Sequence, residues 1–498
     1  MPSEFLRSFP VFTSLTVFFA LIGVILSWSS ASQFDSKLKY FGKAAKDLEA
    51  ASASLILAGM FLIIVNSICL LVGFLAAGRT REGLFEVSEQ RYPKIVWCGK
   101  CLGGALNLAL MQGFLWICLL SQLILSYSYL LVSLAVTNLS HMCEGDEAFQ
   151  AAVQKVVAYA LPGSSNTKAF DVKEYCGNAG DMGTTGKILW VGCFITVLSQ
   201  AGALCCLAVD KIRIKAHLSR EKAIVCCEEC SDLLLAFPWG SAISFIGCLV
   251  GFAFLKSGRQ SVNEALEAMG SKTSGAMRMY SSGLLVSFIA CFVVNIIALC
   301  VGFLGASKTR EFIFGNQSAS QASGLLQCFR ALAGPWASKI IMALLTISTT
   351  VILIFSYLFM FVMLMLLFLS TTCASGDEAM AALDEFINIT NTEVPGQPDL
   401  HRNWAGRIGR SIDSVSPVEE YCKIGANFGG PAINVFLGCV LMVVSQVAMM
   451  VSTSTEKERV AMEMSTCHRT ADGMTKNRRE VELGESLKPG PPMPSTRF

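Results

Sequence analysis

Eight long runs of apolar residues constrain the fold of this chain more than any other feature of its sequence. The runs occupy residues 9–28, 53–77, 104–136, 187–209, 237–255, 282–306, 336–370 and 430–451. Away from their ends, none of them contains Asp, Glu, Lys or Arg. Runs of about 18 or more apolar residues are typical of helices that cross a lipid bilayer. The sequence therefore predicts an all-α transmembrane protein with eight spanning helices.

Composition excludes several other classes of protein. Of the 498 residues, 53% are hydrophobic and only 15% are charged, which is too little charge to cover a soluble protein of this length. The net charge of +2 gives no basis for binding nucleic acid. We interpret the first run as a retained span and not as a cleaved signal peptide, because it is long and an equivalent run opens the second half of the chain.

The two halves of the chain repeat each other. The matching segments are Phe9–Ser14 with Phe237–Ala242, Gly73–Glu82 with Gly302–Glu311, Ser126-Tyr127 with Ser356-Tyr357, Tyr175-Cys176 with Tyr421-Cys422, Gly192-Cys193 with Gly438-Cys439, and Ser199-Gln200 with Ser445-Gln446. Self-similarity of this kind indicates a duplicated unit. We predict two parallel four-helix modules, at residues 1–222 and 223–455. The polar, basic remainder, 456–498, has the composition of a disordered cytosolic tail.

A large loop follows the third span of each half, at residues 137–186 and 371–429. Each loop has two cysteines and one glycosylation sequon: Cys143, Cys176 and Asn138 in the first, and Cys373, Cys422 and Asn388 in the second. Cysteine pairs and sequons at matching positions favour an oxidising, extracellular face, with free thiols as the alternative. We therefore predict a disulfide in each extracellular loop, and a plasma-membrane protein with both termini in the cytosol.

Four amide side chains lie inside the apolar runs at matching positions. They are Asn66 and Asn295 in the second and sixth runs, and Gln200 and Gln446 in the fourth and eighth. Intramembrane amides either hydrogen-bond helices together or line a pathway for a substrate. The lack of ionisable residues deep inside the runs favours the structural role.

Cysteines next to the predicted membrane boundary form a second group. They are Cys98, Cys101, Cys328, Cys226, Cys227 and Cys230. Cytosolic cysteines beside a span are typical sites of S-palmitoylation. A zinc site built from the two Cys-x-x-Cys pairs is the alternative, but the second half keeps only one cysteine of the first pair. We expect acylation or inert thiols, with no metal and no cofactor.

Sequence signals of catalysis are missing. The four histidines do not form a His-Glu-x-x-His arrangement, and no glycine-rich phosphate loop is followed by Lys. We expect that the chain is not an enzyme. Its last residues, Thr496-Arg497-Phe498, match the kind of C-terminus that a PDZ-type groove binds.

Four segments carry a resemblance to a known family. They are Cys226–Cys230 with Pro238–Ser241 behind it, the stretch from Gly73 through Arg81 to Cys98–Cys101, the cysteine just past the third span (Cys143 or Cys373), and the Thr-Arg-Phe ending. In these segments the chain resembles the myelin proteolipid protein and neuronal membrane glycoprotein family. Each large loop here has two cysteines, where the family generally has four, and two fused units replace a single one.

The resemblance implies a structural or organising protein that acts in membrane adhesion, apposition or process outgrowth, with its large loops as the contact surface. The partners we expect are the lipid bilayer, including cholesterol-rich domains, a PDZ-type protein, and further copies of the chain in a homo-oligomer. The alternative is a channel or transporter with a pathway between or within the two modules, since parallel repeats also occur in transporters.

Overall fold

A computed structural model describes most of the apolar part of the chain. The described residues are 10–38, 45–77, 105–142, 147–160, 172–173, 176, 183–218, 238–268, 271–304, 335–391, 422 and 428–486. In chain order the helices are α1 (Val11–Leu38), α2 (Ala45–Ala76), α3 (Ala105–Met142), α4 (Glu147–Ala160), α5 (Gly183–Leu218), α6 (Trp239–Ala268), α7 (Ser271–Leu304), α8 (Pro335–Ala374), α9 (Asp377–Asn391) and α10 (Gly429–Ser486).

Eight of these helices are long and apolar enough to cross a membrane. They are α1, α2, α3, α5, α6, α7, α8 and α10, and their apolar segments run from 24 to 39 residues. Many large apolar side chains on these helices point outward, such as Phe12, which is 78% exposed, and Val286, which is 65% exposed. In hydrocarbon such side chains face their solvent. The predicted all-helical, eight-span fold class is confirmed at this level.

Two close helix crossings organise the bundle. Helix α1 packs mainly on α5, and α6 packs mainly on α10. At the first crossing, a Cβ atom added to Gly192 would lie 2.8 Å from the backbone nitrogen of Ser27 and 3.0 Å from the carbonyl oxygen of Gly23. At the second, a Cβ on Gly438 would lie 2.9 Å from the carbonyl oxygen of Gly251. Glycine is needed at both places because the two backbones touch.

Different helices lie at the two ends of the bundle. Helices α1 and α5 run antiparallel, since Gly202 lies against Thr16 and Gly192 against Ser27. Helices α3 and α8 end where the short helices α4 and α9 begin, and we call α4 and α9 together the cap. At the opposite end, which we call the tail end, α10 leaves the bundle.

A glycine marks the turn from the bundle into the cap. Gly376 lies between α8 and α9 with φ of 102°, a conformation that residues with a Cβ rarely adopt. Its carbonyl oxygen accepts hydrogen bonds from the backbone nitrogens of Ala379 and Met380, at 3.1 Å each. Asp377 and Glu378 occupy the first turn of α9, where their negative charge complements the helix dipole.

The structure differs from the sequence prediction in two segments. The predicted loops 137–186 and 371–429 contain the end of α3, α4, the end of α8 and α9. Helix α10 continues to Ser486, through most of the segment whose composition suggested a disordered tail from residue 456. Glu, Lys, Arg, Met and Ala recur in that segment, and all of them favour helix, so a polar composition did not distinguish a helix from disorder.

Candidate functional site

Two tyrosines join the first and second halves of the chain inside the bundle. The Tyr127 hydroxyl of α3 hydrogen-bonds Ser356 Oγ of α8 at 2.6 Å, and the Tyr357 hydroxyl of α8 donates to Ser126 Oγ of α3 at 2.5 Å. Each serine hydroxyl in turn donates to a carbonyl oxygen of its own helix, at 2.8 Å. All four side chains are at most 2% exposed. The pairing is reciprocal between residues that match in the sequence repeat.

Aromatic rings extend this reciprocal contact. The Tyr127 and Tyr357 ring centroids are 4.9 Å apart. Tyr127 meets Phe436 of α10 edge to face at 5.7 Å, and Tyr357 meets Trp190 of α5 in the same way at 5.9 Å. Phe436 and Trp190 each lie two residues before the matching glycines of the repeat. Such ring pairs stabilise a contact by roughly 0.5–1.5 kcal/mol beyond their area.

An ion pair joins α5 to α10 at the tail end. Arg213 donates from Nε to Glu458 Oε1 at 2.7 Å and from a terminal nitrogen to Oε2 at 3.2 Å. Asp210, one turn earlier on α5, lies 3.9 Å from the same guanidinium. The two-point geometry fixes the distance and rotation of the two helices where they leave the apolar region.

The four intramembrane amides are buried inside the bundle, each at most 2% exposed. Asn66 and Asn295 donate to carbonyl oxygens one turn earlier on their own helices, at 2.9 and 2.8 Å. Gln446 Oε1 accepts a hydrogen bond from Ser348 of α8 at 3.3 Å. Gln200 has no hydrogen-bond partner for either amide atom among the described residues. The bonds of Asn66, Asn295 and Gln446 favour the packing role for these three amides, whereas Gln200 makes no such bond.

A polar network surrounds these amides in the second half of the chain. Cys291 Sγ lies 3.6 Å from the Ser348 carbonyl oxygen, and Asn295 Nδ2 lies 3.8 Å from Cys248 Sγ. Together with the bond between Ser348 and Gln446, these contacts link α6, α7, α8 and α10. Interhelical hydrogen bonds of this kind contribute about 0.6 kcal/mol each on average within membranes.

The cap is a small helical layer outside the apolar bundle. Helices α4 and α9 pack on each other and on α8. Their facing side chains are buried: Ala152, Val153, Val156, Ala379, Ala382 and Leu383. Lys155 of α4 bonds both carboxylate oxygens of Glu385 of α9, at 2.9 and 2.7 Å. Apolar packing and an ion pair thus hold the two halves of the chain together at this end as well.

Cysteines hold the chain segments around the cap. The sulfurs of Cys373 and Cys422 are 2.02 Å apart, at disulfide distance. This pairing is the one predicted for the second half. Cys176 is also disulfide-bonded, and Cys143, its predicted partner, lies outside the described residues. Val172, close to Cys176, donates its backbone N–H to Gln154 Oε1 of α4 at 2.8 Å.

The other predicted modification sites are placed only in part. Asn138 lies on α3 and Asn388 on α9, so both sequons are on helices and not in open loops. The six proposed palmitoylation sites and the C-terminal Thr-Arg-Phe lie outside the described residues. Within the described ranges, no group of three or more His, Cys, Asp or Glu side chains is placed to hold a metal ion.

The charged contacts between halves were not predicted from the sequence, although one signal for them is present. Asp210-Lys211-Ile212-Arg213 matches Glu456-Lys457-Glu458-Arg459 at the same offset as the glutamine pair. Both copies keep the acidic and basic residues three apart, and Arg459 lies 3.0 Å from Glu456. The repeated pattern indicates a charged boundary of the spans, but not which residues pair across the halves.

These features define a class: an all-helical chain with eight helices fit to cross a membrane, closed at one end by a small helical cap. In comparisons with known proteins, the chain matches no family model, no curated protein and no solved structure. The function therefore has to be argued from the contacts of the chain itself.

Proposed function

We propose that this chain is a multi-pass plasma-membrane protein with a structural or organising role, which holds membranes in apposition through its cap. The observation that carries the proposal is the build of the cap. Two amphipathic helices, α4 and α9, are packed and ion-paired into one layer outside the apolar spans, and a disulfide beside them joins the end of α8 to the segment before α10. A braced surface of this kind binds a partner with little loss of conformational entropy.

The proposal includes two parallel four-helix modules in one chain. Its support is the reciprocity of the contacts: matching helices meet across the halves, α3 with α8, α4 with α9, and α5 with α10. Tyr127 bonds the serine beside Tyr357, and Tyr357 bonds the serine beside Tyr127. This contact has the symmetry of an isologous dimer interface. The joint cap would then be one surface built from both modules.

The residue pattern and the resemblance to the proteolipid family give further support. On this proposal the cap is extracellular, with disulfides Cys143–Cys176 and Cys373–Cys422 and glycans at Asn138 and Asn388. The cysteines near the tail end carry acyl chains, which strengthen membrane association and favour cholesterol-rich domains. Further copies of the chain and a PDZ-type protein at the C-terminus are the proposed partners.

Clustering of proteoliposomes tests the apposition role. The full chain is reconstituted in phosphatidylcholine vesicles, and vesicle size is followed by light scattering. We expect clustering that a membrane-impermeant reductant abolishes, because reduction frees the segment that carries Cys422. The variant Cys373→Ser/Cys422→Ser should cluster poorly, whereas Cys300→Ser, which removes a free and exposed thiol of α7, should cluster like the wild type. Vesicles that stay dispersed with the unreduced wild type would refute the role.

A channel or transporter is the second candidate, and Gln200 is the observation that favours it. A fully buried amide with no partner for either atom costs about 1–3 kcal/mol, and sites of function tolerate such a cost. The same proteoliposomes discriminate the two roles. Solute or ion flux that Gln200→Leu abolishes would favour transport, and clustering without flux would favour apposition.

A further inference from the structure

A polar cleft opens at the tail end between α7, α8 and α10. Its polar lining comes from Ser338, Thr453, Glu456 and Lys457, and its apolar lining from Ala298, Val301, Gly302 and Val460. Thr453 is only 5% exposed, and its hydroxyl has no hydrogen-bond partner among the described residues. A buried hydroxyl without a partner is costly, which suggests that a ligand supplies one.

The first half of the chain lacks the two hydroxyl groups of this lining at the matching place, although Asp210 and Lys211 match Glu456 and Lys457. Leu108 matches Ser338, Leu207 matches Thr453, and Cys69 matches Ala298. All three residues of the first half are at most 2% exposed and belong to the apolar core. At this cleft the second half therefore has Ser338 and Thr453 where the first half has two buried leucines.

Positively charged side chains lie around this cleft. Lys457 lines the cleft, and Lys339 lies close enough to act on it as a like charge. The Lys339 ammonium is held 5.0 Å from the ring centroid of Trp336, which is 76% exposed in the first turn of α8. Glu456 also lines the cleft, and one oxygen of its carboxylate bonds Arg459 at 3.0 Å, which offsets part of its negative charge.

The start of α8 adds a further attraction for anions. Ser338 lies in the first turn of this 40-residue helix, which begins at Pro335. The positive end of a helix dipole and its free backbone N–H groups favour a phosphate group. The exposed Trp336 is typical of the membrane–water interface. Phosphate-binding groups at that depth meet lipid headgroups.

We infer that this cleft binds the phosphate of an anionic phospholipid, with Lys457 and Lys339 as its charged partners and the hydroxyl of Thr453 as a hydrogen-bond donor. The lipid chains lie along the apolar outer face of α7 and α8, beside Trp336. The site belongs to the second half only, because Leu108 and Leu207 fill its counterpart. The inference does not depend on the apposition role.

Lipid binding to the full chain tests the inference. The protein is purified in detergent, and bound lipid is counted by native mass spectrometry after addition of dioleoylphosphatidylglycerol or, in parallel, dioleoylphosphatidylcholine. We expect one phosphatidylglycerol to bind the wild type at least about tenfold more tightly than it binds Ser338→Leu/Thr453→Leu, which restores the residues of the first half. Phosphatidylcholine should show no such difference.

A second pair of variants covers the case in which the leucine variant fails to fold. Lys457→Gln should weaken phosphatidylglycerol binding by a similar factor, whereas Lys211→Gln, the matching change in the first half, should leave it unchanged. Inorganic phosphate should not displace the lipid, and displacement would overturn a lipid as the occupant. Equal binding by wild type and Lys457→Gln, or no preference over phosphatidylcholine, would overturn the site.

Discussion

Several single residues bond across the two halves of the chain, and Tyr127 and Tyr357 are the clearest case. We expect Tyr127→Phe and Tyr357→Phe to lower the free energy of unfolding by similar amounts, about 0.6–1.7 kcal/mol each, because each removes one buried interhelical hydrogen bond. Thermal unfolding in detergent measures this. Ser128→Ala is the control, since this exposed hydroxyl bonds only its own helix. Unequal losses from the two tyrosine variants would contradict the reciprocal arrangement.

For Gln200 we predict the opposite effect, a gain in stability. Replacing a buried amide that has no partner by Leu removes an unsatisfied polar group, so Gln200→Leu should raise stability by about 1 kcal/mol. Gln446→Leu should raise stability by less, because it also breaks the hydrogen bond from Ser348. Denaturant titration of both variants in the same micelles compares them. A large loss of stability on Gln200→Leu would mean that the amide has a partner in the folded protein.

At the residue scale, the sequence predicted where polar residues lie along the helices better than it predicted their bonding partners. The repeat placed Ser126-Tyr127 opposite Ser356-Tyr357, and the four amides were correctly expected inside the apolar runs. That the tyrosines bond across the halves depends on how α3 and α8 meet, and a pattern along one chain does not contain that information. The same holds for Arg213 and Glu458.

Individual helices depend on close backbone contact, and the crossing of α1 and α5 tests this. Gly192→Ala should destabilise the protein by about 1–3 kcal/mol, because the new Cβ meets backbone atoms that have no room to move. Gly113→Ala is the matched control. No atom lies within 4 Å of its Cβ position, so this variant should be neutral or gain up to about 1 kcal/mol of helix propensity. Similar melting temperatures for both variants would argue against the tight crossing.

The ion pair between α5 and α10 gives a second test at the scale of helices. Glu458→Gln should lower the melting temperature, because it leaves Arg213 without its two-point partner in a half-buried position. The free-energy loss should be about 1–2 kcal/mol, since both groups keep some contact with solvent. Arg459→Gln removes a half-exposed partner of a pair within one turn of α10 and should cost less than about 1 kcal/mol. A larger effect of Arg459→Gln would reverse this ranking.

The eight spanning helices could be predicted because hydrocarbon excludes charge, and that rule leaves a clear mark on a sequence. The cap helices could not be predicted in the same way. Segments 147–160 and 377–391 are short, amphipathic and flanked by cysteines, and they look like ordinary loop sequence until their apolar faces meet. Helix formation there depends on a contact between distant parts of the chain.

The whole molecule has an orientation that can be checked directly. Helix α1 begins and α10 leaves the bundle at the tail end, so tags at both termini should lie on one side of the membrane and the cap on the other. In intact cells we expect antibodies to reach a tag inserted in the segment 161–171 but to reach terminal tags only after permeabilisation. Terminal tags that are accessible without permeabilisation would contradict the proposed orientation.

Helix α10 has a mechanical consequence. The helix continues for 25 residues past the end of its apolar segment at Ala461, which at about 1.5 Å per residue projects a rod of roughly 37 Å away from the bilayer. A continuous helix transmits twist and tilt along its length. A partner bound near Ser486 would therefore be held at a fixed distance from the lipid. A force applied to it would be transmitted to Gln446, in the middle of the membrane.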